Sequence, residues 1–315
     1  MKLNDLLKFR EPVILDGAMG TYLAEKGFIG EPKSANLETK KISSRNFRGD
    51  QEHALGFSQA VLDKPGLVEE IHREYIEAGS QVILTNTFTT PLEEDLHESA
   101  KADKKGIKIA RKVRDNYKGV YVAGEIGPLR SIFYPEIGVS ELGAIKIFKE
   151  RGKLLEREGV DFIFLATFFH FAELYLAYST IKEFTNLEVI PSFTFKEGTY
   201  RTMFGDSIDT IISWAEKYKV PAIGTNCGAG SYHTKLIAAE MLKSTSIPIL
   251  AKPNAGAPEL KDGAIVYPES IETFVSNCIE MVNLGVKFIG GCCGTTPEYI
   301  RNLKKNLENP NKDKV

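Results

Sequence analysis

Short apolar runs rich in β-branched residues recur along the chain: Val13–Leu15, Val82–Thr85, Val120–Ala123, Phe162–Leu165, Val189–Phe193, Ala222–Thr225, Ile249–Ala251 and Phe288–Gly290. Each is followed by a stretch of helical periodicity: Leu67–Ala78, Ser99–Asn116, Glu141–Glu158, Ala172–Glu183, Ile208–Lys217, Thr234–Lys243, Pro268–Leu284 and Pro297–Leu307. Runs that are apolar throughout read as strands buried on both faces, the habit of a parallel sheet whose crossovers are helices. Eight such units in 315 residues match one closed α/β barrel of the (β/α)8, or TIM, type. We expect a single such barrel over residues 1–308 and a tail at 309–315. The rival is an open doubly wound sheet, which usually carries G-x-G-x-x-G after its first strand; Asp16-Gly17-Ala18-Met19-Gly20 lacks that spacing.

The first strand is separated from its helix by Thr21–Gly66, a long loop holding Gly27, Gly30, Pro32, Gly49, Gly56 and Pro65 among many charges. It reads either as a surface excursion or as a lid or docking element over the barrel mouth. Forty Lys+Arg against forty-two Asp+Glu give a net charge of −2, with no long block of either sign, so no footprint for nucleic acid or an anionic membrane is expected. The most apolar windows, such as Phe162–Phe169, fall short of the roughly 18 residues that a spanning helix needs. Met1–Pro12 lacks a basic-then-apolar leader, so a cytoplasmic protein is expected.

In such barrels the chemistry sits where strands end and the following loops begin. Reading past each run gives Asp16-Gly17-Ala18, Thr85-Asn86-Thr87, Glu125-Ile126-Gly127-Pro128, Ala166-Thr167, Phe195, Asn226-Cys227-Gly228, Pro253-Asn254-Ala255-Gly256 and Gly291-Cys292-Cys293-Gly294. Four cysteines, two of them adjacent, make no disulfide framework in a chain this long and point to metal or redox chemistry. Cys227 after the sixth strand and Cys292 and Cys293 after the eighth can converge on one side of the mouth. Three thiolates and an open position make a catalytic zinc site. A redox pair, or cysteines used as small buried hydrophobes, are the other readings of the same spacing. Cys278 falls inside a helical pattern and is assigned to packing.

These motifs carry a family likeness. Ile14-Leu15-Asp16-Gly17-Ala18-Met19-Gly20-Thr21, Leu84-Thr85-Asn86-Thr87-Phe88, Gly124-Glu125-Ile126-Gly127-Pro128, Gly224-Thr225-Asn226-Cys227, Pro253-Asn254-Ala255-Gly256 and Gly290-Gly291-Cys292-Cys293-Gly294-Thr295-Thr296-Pro297 resemble the homocysteine S-methyltransferase family over nearly the whole chain. That family of zinc barrels includes betaine–homocysteine methyltransferase and the homocysteine module of cobalamin-dependent methionine synthase. The resemblance implies that Cys227, Cys292 and Cys293 bind Zn2+ and that an acceptor thiol, homocysteine first, becomes the fourth ligand and is methylated, giving methionine. Lying at or just past the strand ends, Asp16, Gly17, Ala18, Thr85, Asn86, Glu125, Ala166, Thr167, His170, Asn226 and Asn254 are the candidate substrate contacts.

The chain departs from the family pattern in places. Family members commonly carry Glu-Thr at the end of strand four, where the acid is thought to hold the substrate ammonium; here the pair is Ala166-Thr167. A second acid aligns with His170, and an asparagine with Val61. Either the thiol differs or another acid, Asp16 or Glu125, takes the ammonium. Phe168, Phe169 and Phe171 read as core or as a cage for a cationic methyl donor. The short stretch after the cysteine pair leads us to expect a donor that is a small molecule or a separate methylated corrinoid protein. A non-catalytic zinc-binding subunit is the remaining reading.

Overall fold

The computed structural model describes residues 3–28, 59–91, 95–129, 139–261 and 264–309. In chain order the elements are α1 (Leu3–Leu7), β1 (Val13–Ile14), α2 (Gly20–Glu25), α3 (Pro65–Ala78), β2 (Val82–Leu84), α4 (Leu96–Arg114), β3 (Tyr121–Ile126), α5 (Glu141–Glu158), β4 (Phe162–Phe168) and α6 (Phe171–Phe184). There follow β5 (Val189–Phe193), α7 (Ile208–Lys217), β6 (Ile223–Cys227), α8 (Ser231–Ser244), β7 (Ile249–Pro253), β8 (Glu259–Lys261), β9 (Ala264–Val266), α9 (Ile271–Leu284), β10 (Phe288–Ile289) and α10 (Pro297–Glu308).

Strands β1, β10, β7, β6, β5, β4, β3 and β2 pair side by side in that order, all parallel, and a bridge between Leu15 and Val82 closes the ring. This is the expected (β/α)8 barrel. Local sequence sets its helix ends. Ser140, Ser207 and Ser270 each cap a helix by accepting from the backbone N–H three residues on. α5 stops at Gly159, which takes φ 80° and so turns the chain out of the helix.

Side chains alternate across each strand with period two. Val13, Leu15, Val82, Leu84, Tyr121, Ala123, Phe162, Phe164, Ile190, Ala222, Leu250 and Phe288 fill the lumen, and Leu3 and Leu6 of α1 join them. Their neighbours Ile14, Ile83, Val122, Ile163 and Val189 face the helical layer. One step further along the inward phase the residues turn polar or small: Glu125 after Ala123, Ala166 after Phe164, Ser192 after Ile190, Asn226 two positions past Gly224, and Lys252 after Leu250. The lumen thus changes from hydrocarbon to charge near the strand ends.

Two points of the sequence reading need correction. The stretch read as a long first loop contains α2, and residues 59–63 are helical, with Ala60 and Val61 fully buried; residues 29–58 lie outside the described set, as do 310–315 of the tail. The β8–β9 hairpin was not anticipated, although Lys261-Asp262-Gly263-Ala264 carries the Asp-Gly pair favoured in tight hairpins. Among the described residues no helix is long and apolar enough to cross a membrane.

Candidate metal centre and acceptor site

Cys227 is the last residue of β6, and Cys292 and Cys293 follow β10; β7 stands between the two strands. The closed sheet brings the three sulfurs within 4.8 Å of one another, each on a half-buried side chain. Backbone bonds fix the loop: Cys292 N donates to Pro253 O (2.7 Å), Ala255 N to Cys293 O (2.9 Å) and Gly291 N to Asp16 O (3.0 Å). Thr295 Oγ1 donates to Cys292 O at 2.7 Å. Gly290 is required here, because a Cβ would stand 2.8 Å from both Asp16 O and Leu15 Cβ. Cys227 itself sits at φ 64°, an uncommon conformation for a side-chain-bearing residue.

The thiols share their protons unevenly. Hydrogen bonds from Cys227 and Cys293 hold Cys292 well below the usual thiol range, with the charge of Lys252 helping; contact with Cys292 pushes Cys227 up against the opposing bond with Cys293, and contacts with Cys227 and Cys292 push Cys293 up. The trio is a cluster of soft donors able to hold a metal ion. Tetrahedral ligation at about 2.3 Å places sulfurs about 3.8 Å apart, within the separation found here.

Beneath the sulfurs lies a ring of polar side chains. Lys252 Nζ donates to Asp16 Oδ1 (2.6 Å) and Asp16 O (2.8 Å), and Leu84 N donates to Asp16 Oδ2 (2.8 Å). Both members of this ion pair are buried. Burial raises the Asp16 pKa, opposed by Lys252. Asn226 ties three strands together: its Oδ1 accepts from Thr167 N (2.8 Å) and Ser192 Oγ (2.7 Å), and its Nδ2 donates to Thr167 Oγ1 (2.6 Å). Those bonds hold Thr167 at φ 62°, where the β4–β5 register shifts between Leu165 and Phe168. Asn254 Nδ2 donates to Gly228 O (2.7 Å), while its buried Oδ1 has no partner among the described residues.

On β3 the backbone of Glu125 is clamped by two threonines. Its N–H donates to Thr85 Oγ1 (3.1 Å), its carbonyl accepts from Thr87 Oγ1 (2.7 Å), and the two hydroxyls are 2.6 Å apart. The loop behind them is held by buried Arg151, which donates to Thr89 O (3.0 Å), Thr90 Oγ1 (2.9 Å) and Thr87 O. Arg151 also pairs with Asp103 at 3.3 Å, where burial takes the carboxyl up to about 6 against the pull of the guanidinium. The Glu125 carboxyl is half-buried and has no hydrogen-bond partner among the described residues. Desolvation in the concave mouth pushes its pKa up to about 8, with Lys252 opposing.

The profile of the homocysteine S-methyltransferase family matches residues 13–307. The chain belongs to the homocysteine S-methyltransferase family. It is a methyltransferase. Among solved structures its fold is similar to that of the homocysteine methyltransferase MmuM from Escherichia coli. The metallated form aligns with TM-score 0.75 and 22% identity over 96% of this chain and 99% of that one. The apo and oxidised forms align with TM-scores of 0.73 and 0.74, each at 22% identity over 96% of this chain.

As a homocysteine S-methyltransferase family member, the chain gathers most of the expected residues at one end of its barrel, with different occupations. Gly17 and Ala18 form a turn held by Tyr75, whose hydroxyl donates to Ala18 O (2.7 Å) and Thr295 O (3.0 Å). A Cβ on Gly17 would meet that hydroxyl at 2.7 Å. Asn86 is buried at φ 54° just past β2. Asp16, considered for the ammonium, is engaged by Lys252, and Asn226 and Thr85 are largely spent on neighbouring strands. His170 is half-buried at the start of α6, its ring 4.7 Å from exposed Phe204. Val61 lies in the helical layer, as do Phe168 beside Phe148 and Phe171 beside Phe193 and Trp214, so these aromatics belong to the outer core and form no cage in the lumen. Cys278 is fully buried in α9, as expected. Lys252 was missed, although a lysine at the inward phase of Ile249-Leu250-Ala251-Lys252-Pro253 is a signal in itself.

Proposed function

We propose that this chain is a zinc-dependent S-methyltransferase whose acceptor is homocysteine and whose product is methionine. The observation that carries the reading is the convergence of Cys227, Cys292 and Cys293 within 4.8 Å at the mouth of the barrel. Cys227, Cys292 and Cys293 would hold the zinc, and the metal would offer a fourth position that keeps the acceptor's thiol, ordinarily of pKa about 8.5, as a thiolate at neutral pH. The sulfur then attacks the methyl carbon in line: a sulfur–carbon bond forms, and the donor leaves with the electrons of its broken bond to the methyl group.

The chain's own residues prepare that step. Lys252 sets a positive charge beneath Cys292, offsetting the charge of clustered thiolates, and Asp16 fixes the lysine's position. Thr167, Asn226 and Asn254 shape the wall. The donor, a small molecule or a separate methylated corrinoid protein, approaches from the open side of the mouth. A cytoplasmic setting suits three thiols that must stay reduced. The intact cysteine set argues against a silent subunit. Methylation of a different thiol is the second reading, favoured by Ala166 in place of the family's acid.

The test is a calorimetric titration of L-homocysteine into anaerobic, zinc-loaded protein, with proton release recorded and metal-free protein as control. Zinc-dependent binding with release of about one proton is the expected result. Zinc uptake without homocysteine binding moves the acceptor to another thiol, and failure to take up zinc overturns the proposal.

A further inference from the structure

Two acids reach the lumen beneath the cysteines, and only one has a counter-ion in contact. Asp16 is bonded twice by Lys252 and once by a backbone N–H. Glu125 follows Tyr121 and Ala123 in the inward phase of β3, and its carboxylate has no hydrogen-bond partner among the described residues. Its backbone, by contrast, is pinned from both sides by Thr85 and Thr87. A half-buried acid on so rigid a mount, facing Lys252 and Cys292 closely enough to feel both charges, is set for a cation that none of the described residues places in contact with it.

The strand register shows how a ligand reaches it. Glu125 stands level with Phe164 on β4, so Ala166, the next inward residue of β4, lies one step nearer the mouth. Its methyl group leaves uncovered what a longer side chain would screen. A ligand whose sulfur lies at the cysteines and whose body extends into the lumen places its far end near Glu125. A fixed carboxylate is complementary to an ammonium, which brings three donors and a positive charge.

We propose that Glu125 binds the ammonium group of the acceptor and selects amino-acid thiols over thiols that lack an amino group. This inference rests on the proposed function and names the specificity-determining residue of that same site. It moves the ammonium contact from the end of strand four to strand three, so that Ala166 becomes the opening and Glu125 the ligand.

The experiment compares two probes, L-homocysteine and 4-mercaptobutanoate, which is the same thiol acid without its amino group. Each is titrated calorimetrically into zinc-loaded wild type, Glu125→Gln and Glu125→Asp. Wild type is expected to favour homocysteine roughly ten- to a hundredfold, the worth of a charge-assisted hydrogen bond. Glu125→Gln should lose that preference while keeping its zinc stoichiometry and its affinity for 4-mercaptobutanoate, and Glu125→Asp should keep part of it. If both thiols bind wild type equally, or Glu125→Gln weakens both alike or neither, the inference falls and the proposed function stands. If neither thiol binds zinc-loaded wild type, the acceptor of the proposed function moves to another thiol and the inference falls with homocysteine. Should Glu125→Gln fail to fold, the wild-type preference and the aspartate variant still decide.

Discussion

The lower and upper halves of the barrel are built from the same eight strands for opposite purposes. Below, Phe162, Leu250 and Phe288 fill the lumen, Leu3 and Leu6 of α1 pack beneath them, and these side chains are almost wholly shielded from water. Above, the same strands present Glu125, Asn226 and Lys252, together with Asp16 and three cysteines. Backbone conformations lean the same way: of the four described non-glycine residues at positive φ, Asn86, Thr167 and Cys227 lie at the upper rim, and the fourth, Lys219, lies in the exposed turn that enters β6 from below. Such conformations cost of order 1–3 kcal/mol each and persist only where surrounding structure enforces them. Hydrophobic burial below supports strain and buried charge above, which is why this architecture can concentrate unfavourable groups at one end.

If the halves are separable, substitutions in one should spare the property of the other. The largest effect is expected for Cys292→Ala, with methyl transfer falling about a thousandfold or more and metal content dropping, while denaturant unfolding changes little. Activity assays, metal analysis and urea titration together check this. Phe162→Ala should do the reverse, costing about 3–5 kcal/mol of stability and leaving the metal stoichiometry of the folded protein unchanged; loss of metal without loss of stability would erase the boundary. Lys252→Met tests the border itself. It strands the buried Asp16 carboxyl, at a cost of about 3 kcal/mol, and adding Asp16→Asn should recover most of that cost in the same unfolding assay.

The smallest expected effect is on pH dependence. The Glu125 carboxyl, pushed up to about 8, holds its proton in the folded chain over a range where the unfolded chain, near 4.5, has lost it. Its contribution is therefore complete below about pH 4.5 and is lost as pH rises toward about 8. Glu125→Gln should flatten the fall of the unfolding midpoint across that window in metal-free protein, whereas Phe162→Ala should keep the wild-type slope. Glu173, outside the lumen, is also raised to about 8 by burial, with a bond from Leu129 N opposing, so part of the slope should remain.

The apolar half was the more legible in the sequence. Its eight strands and following helices announce themselves through local periodicity, which needs no knowledge of what lies across the barrel. The cysteines were legible for a related reason, since the strand-end rule places them by order alone. The Asp16–Lys252 pair was hidden because its members are 236 positions apart and meet only in a closed ring. The bracing bonds of Asn226 were hidden for the same reason, since its amide partners, Thr167 and Ser192, come from two other strands. Val61 was drawn toward the mouth by alignment across the long first loop, whereas its burial in helical residues 59–63 follows from the helical layer. The β8–β9 hairpin is too short for alternation to signal, leaving its Asp-Gly pair as the only mark.

Thr295 is tied to Ala18 across 277 positions and to Tyr75 across 220, and β1 pairs in register with β10. The consequence concerns time. Contacts between such distant segments form slowly, because the entropy of closing the intervening chain must be overcome first. The loop that brings Cys292 and Cys293 to Cys227 is fastened to this seam, so high metal affinity should arise only as the ring closes. In refolding experiments the uptake of metal would then follow the slowest phase and report the closure of the barrel.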